Sequence, residues 1–550
     1  MQSIKRRFAF YKVNYSMHND PMKYLFILSF FFSTLSFANI CVKIPNFETE
    51  AYSFRDDIDI FASDGVEIHG NLFKPKKAGK LPLIVFVNSW VLEEHEYFKQ
   101  AKELASAGYL VFSYSTRGWG CSGGKIEAIG PRDIEDLETV LNWIENNTPV
   151  DSANIGMSGI SYGGGMSLMA AAKVDRIKTV AAMSAWGSLT DAIYGANTPR
   201  QFWASSLIAT GAVIGEVDTK LLKLFKALIT HEGTGPAINW ANERSPIEFI
   251  ELVNRKQIPI YISNNFGDNL FQPNNILDYF QKLRVPKILD LNQGTHASAE
   301  ISGLIYGDNF SFSRMQAWFD YWLKGEPQTG LKFNEISMQL DLKTKREYFS
   351  ATNFFKAPEL KLNLTPRGYI SHGGLSTQVS SNEDIDTIYS GVDTRASSGI
   401  PVLSAMLDGH LRIPVFNTLP WIQRVNGIYY KSKRFKKGLK LRGIPKLRLT
   451  TSSEGKHYQL LAYLYDRSPL GVTRLITHGA ATSVHHDGKK EVFDLDLVAT
   501  AYDLDPGHSL VLAIDTEDLL YAKPLHLIPY ETKIHFSQSH INELRLPVID

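Results

Sequence analysis

The sequence predicts an α/β protein, with a mostly parallel sheet covered by helices on both faces, followed by an all-β sandwich. Three observations support this prediction of the fold. Apolar runs typical of buried strands alternate with helical periods through the first half of the chain. Residues 189–256 show helical patterns with no strand between them. After about residue 330, short alternating runs separated by Gly, Pro, Asp and Ser replace the helical periods.

Local patterns place the elements of the first half in order. Leu83–Val87 is a continuous apolar run, as expected for a strand buried on both faces. Pro131 to Glu145 carries apolar side chains at a helical period, with proline at its start. The same criteria predict two strands within 58–75, then strands at 109–112, 154–157, 179–183, 258–262 and 287–291. They predict further helices at 97–107, 166–172 and 317–323.

These elements divide the chain into regions. An α/β domain is expected at residues 50–188 and 257–328, because strand and helix alternate on both sides of an interruption. The interruption, residues 189–256, is predicted to be a helical insertion above the sheet. Residues 335–550 are predicted to form the β-sandwich.

The net charge and the number of cysteines exclude several classes of function. The chain has 550 residues, and 58 Lys and Arg against 57 Asp and Glu give a formal net charge of +1. We therefore expect no nucleic-acid partner. Only two cysteines are present, Cys41 and Cys121, which excludes a disulfide-dense scaffold and a zinc site built from several thiolates. The sequence leaves open whether the two cysteines pair, and it leaves the oligomeric state open.

Residues 22–38 have the order of a secretory signal peptide. Lys23 is followed by an apolar run and then by Ser36-Phe37-Ala38, a small-x-small cleavage pattern. The alternative is a membrane anchor, but Tyr24 to Ala38 is shorter than the roughly 20 residues that a membrane-spanning helix needs. We expect cleavage after Ala38, no membrane span in the mature chain, and export to the periplasm or the extracellular space. The true start, Met1 or Met22, stays open.

Ser161 is the candidate nucleophile. It lies in Gly159-Ile160-Ser161-Tyr162-Gly163, between a predicted strand and a predicted helix. Glycines on both sides of a serine permit the tight strand-to-helix turn that exposes its hydroxyl. The alternative is a glycine-rich turn with an incidental serine.

A serine nucleophile needs a histidine base and a carboxylate that orients the base. In proteins with this kind of turn the chain order is serine, carboxylate, histidine, with the last two on loops after late strands. Asp268 follows the strand predicted at 258–262, and His296 follows the strand predicted at 287–291. Asp278 is the main rival to Asp268, although its helical context favours a solvated side chain.

These residues resemble a known family. The Gly-x-Ser-Tyr-Gly-Gly segment, and Ser115 to Gly124 with Ser115 in place of the usual aspartate, are similar to X-Pro dipeptidyl-peptidases, cocaine esterase and α-amino-acid ester hydrolases. The resemblance extends through Phe319 to Gly325 and covers most of residues 55–550. It implies an α/β-hydrolase sheet with a helical cap and a C-terminal jelly roll of the galactose-binding-like kind. It also implies Ser161, Asp268 and His296 as the catalytic triad.

The oxyanion hole departs from the family pattern. The backbone N–H of Tyr162 is the expected first donor. The family has a tyrosine after the strand that corresponds to Leu83–Val87, and its hydroxyl is the second donor. Here the segment is Asn88-Ser89-Trp90. The hypothesis is that the Trp90 indole N–H donates instead; the alternative is that Trp90 only forms a wall of the acyl pocket.

The sequence therefore predicts an exported serine hydrolase that cleaves ester or amide bonds through an acyl-enzyme. Its partners would be small acyl esters, amides or short peptides, and no metal or organic cofactor is required. A true X-Pro dipeptidyl-peptidase is the finer alternative, and Asp191, Glu216, Glu243 and Glu248 are the acidic cap residues available to anchor a free amine. The alternative from another class is a catalytically inert protein that binds surface glycans or proteins.

Overall fold

The structure is a computed structural model that describes residues 41–305, 307–379, 383–523 and 528–549. The predicted signal peptide at residues 22–38 lies outside these ranges and stays a prediction. Of the helices within these ranges, none combines the length and the apolar character needed to cross a membrane. A disulfide joins Cys41 to Cys121, which answers the pairing question that the sequence left open.

Within the described ranges, eleven strands form one mixed sheet. They are β1 (Phe47–Glu48), β2 (Tyr52–Phe61), β3 (Glu67–Pro75), β4 (Leu81–Val87), β5 (Leu110–Tyr114), β6 (Val150–Ile160), β7 (Thr179–Met183), β8 (Ile260–Asn265), β9 (Lys287–Asn292), β10 (Glu335–Gln339) and β11 (Arg346–Ser350). Their spatial order is β1-β2-β3-β5-β4-β6-β7-β8-β9-β10-β11. The central strands from β5 through β10 run parallel, and the outer pairs are antiparallel.

Helices cover both faces of this sheet, as predicted. They are α1 (Phe98–Ser106), α2 (Pro131–Asn147), α3 (Tyr162–Lys173), α9 (Pro273–Lys282), α10 (Ser298–Ile305) and α11 (Phe310–Lys324), with α4 to α8 defined below. The side chains of strand β4 show that both faces of the sheet are buried. Leu83 and Val85 belong to the apolar cluster that includes α2, α3 and α9, whereas Ile84 and Phe86 belong to the cluster that includes α1 and α11. Successive side chains of a strand point to opposite faces of the sheet. Both sets are buried here because helices cover both faces.

The region between β7 and β8 is helical, as predicted. It contains α4 (Leu189–Tyr194), α5 (Gln201–Ile214), α6 (Thr219–Thr230), α7 (Gly235–Asn242) and α8 (Ile250–Lys256), with 3₁₀ turns at Gly195–Asn197 and Pro246–Phe249. We call residues 189–256 the cap.

The predicted start of the sandwich at residue 335 is wrong. Strand β10 pairs in parallel with β9, and β11 pairs antiparallel with β10, so residues 335–350 extend the first sheet. The physical reason is that the β10 sequence, Glu-Ile-Ser-Met-Gln, alternates polar and apolar residues as a sandwich strand does, although its side chains are almost all buried in the first sheet.

The rest of the described chain is an all-β domain of fourteen hydrogen-bonded strands, eleven of them in one path and three paired beside it. They are β12 (Glu359–Thr365), β13 (Gly373–Ser376), β14 (Asp384–Tyr389), β15 (Phe416–Asn417), β16 (Ile428–Ser432), β17 (Leu439–Gly443), β18 (Lys446–Ser453), β19 (Tyr458–Arg467), β20 (Thr473–Ser483), β21 (Glu491–Asp496), β22 (Thr500–Leu504), β23 (Ser509–Asp515), β24 (Glu531–Phe536) and β25 (Glu543–Ile549). Two helices in this region were not predicted, α12 (Ala351–Phe355) and α13 (Leu403–Leu411), and a 3₁₀ turn lies at Leu419–Trp421.

The all-β domain supports the loops of the first sheet. The side-chain amide of Asn274 donates to the carbonyl of Leu497 (2.8 Å), and its oxygen accepts from the N–H of Ala499 (2.7 Å). His410 on α13 lies 2.8 Å from the hydroxyl of Ser298, at the start of α10. The first turns of α9 and α10 are therefore held from the side of the all-β domain.

Candidate active site

Ser161 occupies a strained turn between β6 and α3. Its backbone has φ +55° and ψ −112°, and its N–H donates to the carbonyl of Met183 (2.8 Å). A Cβ on Gly159 would lie 2.6 Å from the carbonyl carbon of Gly163, and a Cβ on Gly163 would overlap the carbonyl oxygen of Val87. Both flanking positions therefore require glycine, and the turn presents the serine side chain at the end of the strand.

His296 lies within reach of Ser161. Its Nε2 is 2.7 Å from Ser161 Oγ, and its Nδ1 is 2.7 Å from Asp268 Oδ2. A carboxylate oxygen only accepts, so Nδ1 carries the proton and Nε2 is left free to accept from the serine hydroxyl. Phe271 and Trp203 contact the imidazole edge-to-face, with ring centroids 5.1 and 5.9 Å away, and these contacts fix its plane.

Asp268 is fully buried and is itself held in place. Its Oδ1 accepts from the N–H groups of Leu270 (3.0 Å) and Phe271 (2.8 Å). These two bonds leave Oδ2 directed at His296. The rival, Asp278, is on α9 and pairs with Lys282 at 2.7 Å on the surface. The structure therefore brings Ser161, Asp268 and His296 together and places Asp278 elsewhere.

The two predicted oxyanion donors have different outcomes. Tyr162 is the first residue of α3, so its N–H has no acceptor in a preceding helical turn, in keeping with the predicted role. The hypothesis for Trp90 is wrong in this structure. Its single N–H donates to the carbonyl of Leu207 on α5 (3.1 Å) and lies 3.3 Å from Thr210 Oγ1. The Trp90 ring instead contacts Tyr162 and forms part of a wall beside Ser161.

Sequence reasoning missed Glu96, which holds the segment before Trp90. Its Oε2 accepts from the N–H of Ser89 (2.6 Å), and its Oε1 lies 2.6 Å from the Ser89 hydroxyl. That hydroxyl is also 2.9 Å from the carbonyl of Ile160, next to the nucleophile. Burial raises the pKa of Glu96 to about 7. No sequence motif marks this residue, because its partner is brought close only by the turn after β4.

A cavity of about 130 Å³ opens at Ser161, between the sheet and the cap. Its lining is almost entirely apolar. The lining residues are Trp90, Ala128, Ser161, Tyr162, Trp186, Leu189, Ile193, Ala204, Leu207, Ile208, Val217, Leu221, Leu224, Phe225, Leu228, Ala237, Trp240, Leu270 and Phe271.

Two overlapping groups of side chains near β2 and β3 have atoms close enough to hold a metal ion: His69, Glu94 and Cys121, and Asp56, Glu94 and His95. The sulfur of Cys121 is in the disulfide and is not a thiolate ligand. Burial opposes a charge on His95, but its hydrogen bonds to the carboxylates of Asp56 and Glu93 raise its pKa to about 10. These groups contain none of Ser161, Asp268 and His296.

Comparison with known proteins places the chain in a family. Family models match at two places, "X-Pro dipeptidyl-peptidase (S15 family)" over residues 64–298 and "X-Pro dipeptidyl-peptidase C-terminal non-catalytic domain" over residues 355–526. The chain belongs to the X-Pro dipeptidyl-peptidase (S15) family of hydrolases. Family membership covers ester and peptide substrates, so it does not fix the activity.

Solved structures share the fold of this family member. A CocE/NonD family hydrolase from Staphylococcus aureus is 14% identical, with a TM-score of 0.70 over 90% of this chain and 94% of its own. An α-amino acid ester hydrolase is also 14% identical, with a TM-score of 0.69 over 92% of this chain and 98% of its own.

The curated relatives match this chain over shorter segments or at lower coverage. An uncharacterised Escherichia coli protein is 33% identical over 87 residues, which are 16% of this chain and 30% of that protein. The matched segment thus spans less than a third of that relative. A Bacillus cereus protein provisionally named an Xaa-Pro dipeptidyl-peptidase is 20% identical over 75% of this chain and 72% of its own length.

Proposed function

We propose that this protein is a serine hydrolase that cleaves ester or amide bonds through an acyl-enzyme on Ser161. The observation that carries the proposal is the hydrogen-bonded series from Ser161 Oγ to His296 Nε2 and from His296 Nδ1 to Asp268 Oδ2, each 2.7 Å long. A nucleophile in contact with a base, and a base oriented by a buried carboxylate, is the arrangement that activates a serine hydroxyl.

The proposed reaction has two halves. His296 Nε2 accepts the hydroxyl proton as Ser161 Oγ bonds to the substrate carbonyl carbon, and the same proton then passes to the leaving alcohol or amine. The oxyanion lies at the N-terminus of α3, where the N–H of Tyr162 donates to it. Water next attacks the acyl-enzyme and gives a proton to His296. His296 passes that proton to Ser161 Oγ as the acid is released, which restores the free serine. Asp268 holds the imidazole throughout and stabilises its positive charge.

A fluorophosphonate probe tests the proposal, because it reacts covalently with activated serines. Wild-type protein should be labelled, and Ser161→Ala should not. Ser158→Ala is the matched control. Its hydroxyl is buried on β6 and donates to the carbonyl of Ala181 (2.7 Å), so labelling should persist. Absence of labelling in folded wild-type protein would overturn the proposal and favour the inert binding protein.

We also propose that the protein is exported. The disulfide between Cys41 and Cys121 supports this, since such bonds persist in oxidising compartments. The signal-peptide pattern at residues 22–38 supports it independently. N-terminal sequencing of protein from the extracytoplasmic fraction should find Asn39 first. An intact N-terminus on cytoplasmic protein would contradict export.

A true X-Pro dipeptidyl-peptidase is the second candidate, and the provisional name of the Bacillus cereus relative favours it. Turnover of a p-nitrophenyl ester and of a Gly-Pro anilide, measured side by side, separates the two. A strong preference for the anilide would make the peptidase the better description.

A further inference from the structure

The cavity above Ser161 has no charged group to receive a substrate ammonium. None of the described residues that line it is acidic or basic. The four acidic cap residues that the sequence offered as amine anchors, Asp191, Glu216, Glu243 and Glu248, are all exposed on the outside of the cap. None of them contributes to the lining.

Three of the aromatic lining residues have their polar atoms in hydrogen-bond contact with other parts of the protein. The Trp90 N–H donates to the carbonyl of Leu207, and the Trp186 N–H donates to the carbonyl of Arg244 (2.8 Å). The Tyr162 hydroxyl lies 3.2 Å from the N–H of Ile129. These side chains therefore present ring faces, and the remaining walls are mainly aliphatic.

The segment after Asp268 lines the cavity with apolar side chains and contributes no carboxylate to it. Leu270 and Phe271 donate their backbone N–H groups to Asp268 while their side chains line the cavity. The same two residues thus orient the carboxylate that faces His296 and supply an apolar wall beside Ser161.

We propose that this cavity binds a neutral apolar acyl group of about six carbon atoms, and that it rejects acyl groups with a free α-ammonium. The inference rests on the proposed hydrolase function and names its substrate class. The volume of about 130 Å³ is close to that of an apolar protein cavity of about 150 Å³ that holds benzene. An ammonium placed here would lose its water without gaining a counter-ion, which is costly. The cavity therefore disfavours N-terminal dipeptides as substrates.

The test compares p-nitrophenyl esters of unbranched acids and of norleucine, at a pH where the norleucine amine is protonated. Each kcat/KM is divided by the rate of hydroxide hydrolysis of the same ester, since the ammonium makes the ester intrinsically more reactive. We expect kcat/KM to rise about fourfold per CH₂ from acetate to hexanoate, close to 200-fold in all. The norleucine ester, which matches hexanoate except for the ammonium, should be at least about 100-fold poorer than hexanoate.

A substitution in the cap tests whether the cavity determines the preference for hexanoate over norleucine. Leu224→Asp places a carboxylate in the lining and should narrow the hexanoate-to-norleucine ratio by at least tenfold. Leu222→Asp, on the same helix but 51% exposed and outside the lining, is the matched control and should leave the ratio unchanged. Fluorophosphonate labelling of both variants reports that the serine stays competent.

The outcomes separate the two proposals. Failure of wild-type labelling would overturn the hydrolase function. Normal labelling with equal or better turnover of the norleucine ester, through attraction of its ammonium to the indole faces, would overturn only the substrate class. Normal labelling with no increase from acetate to hexanoate would also overturn it.

Discussion

Replacing Asp268 with asparagine should reduce kcat by about 10⁴ while leaving the fold intact. Oδ1 of Asp268 accepts from the N–H groups of Leu270 and Phe271, so the amide oxygen of asparagine must take that position. Its NH₂ group then faces His296 Nδ1, which can only accept. The ring proton moves to Nε2, and Nε2 no longer has a lone pair for the Ser161 hydroxyl. The loss corresponds to about 5 kcal/mol of activation free energy.

The assay is kcat for p-nitrophenyl hexanoate, with the thermal midpoint measured on the same samples. Asp278→Asn is the control, because that carboxylate bonds only Lys282 on the surface in this structure and should leave kcat within about twofold. A loss below about tenfold in Asp268→Asn, with an unchanged thermal midpoint, would refute the proposed role of Asp268. A comparable loss in Asp278→Asn would refute the assignment between the two aspartates.

Three further predictions follow from particular contacts. Trp90→Phe keeps an aromatic ring and removes the N–H bond to the carbonyl of Leu207, so the unfolding free energy should fall by about 1 kcal/mol with kcat nearly unchanged; a loss of about 10²–10³ in kcat would restore the oxyanion role. Replacing Cys41 and Cys121 with serine opens a link across a sequence separation of 80, so urea titration should show a loss near 4.5 kcal/mol; a loss below about 1 kcal/mol would contradict the estimate. Burial raises the pKa of Asp133 to about 7, so the folded state holds this proton more tightly than the unfolded chain does. The contribution of Asp133 to the unfolding free energy should then fall as pH rises from about 4 through 7, so the wild type should lose more stability over this range than Asp133→Asn does; equal pH dependence in the two proteins would contradict this contribution.

The strands that position the candidate site could be predicted because they are buried on both faces. Thr179–Met183 has the same bounds in the prediction and in the structure, and Leu83–Val87 lies within the observed Leu81–Val87. Chain order and loop position were enough to select Asp268 and His296, since late parallel strands end at the same edge of the sheet. The predicted α/β fold with a following all-β domain is confirmed.

What the sequence could not show depends on contacts between distant segments. Trp90 and Leu207 are 117 residues apart, so no local pattern reveals that a cap carbonyl takes the indole proton. Strand Glu335–Gln339 alternates polar and apolar residues as a sandwich strand does. Only its pairing with Lys287–Asn292, and the pairing of Arg346–Ser350 with it, assigns the two strands to the first sheet. The hypothesis for Trp90 and the predicted start of the sandwich were wrong for this reason.

The helix Leu403–Leu411 was missed for a related reason. It is nine residues long and lies among strands, and its packing partner is the loop that carries His296. Short helices gain most of their stability from tertiary contacts rather than from intrinsic propensity. A sequence pattern of this length is therefore a weak signal until the partner surface is known.

The most direct measurement of the central claim is the mass of a trapped intermediate. Protein mixed with p-nitrophenyl hexanoate and quenched in acid within milliseconds should gain one hexanoyl group, and peptide mapping should place it on Ser161. We expect the hexanoyl adduct on wild-type protein and none on Ser161→Ala. Turnover of the ester by wild-type protein with no adduct at any quench time, or with the adduct on another residue, would contradict it.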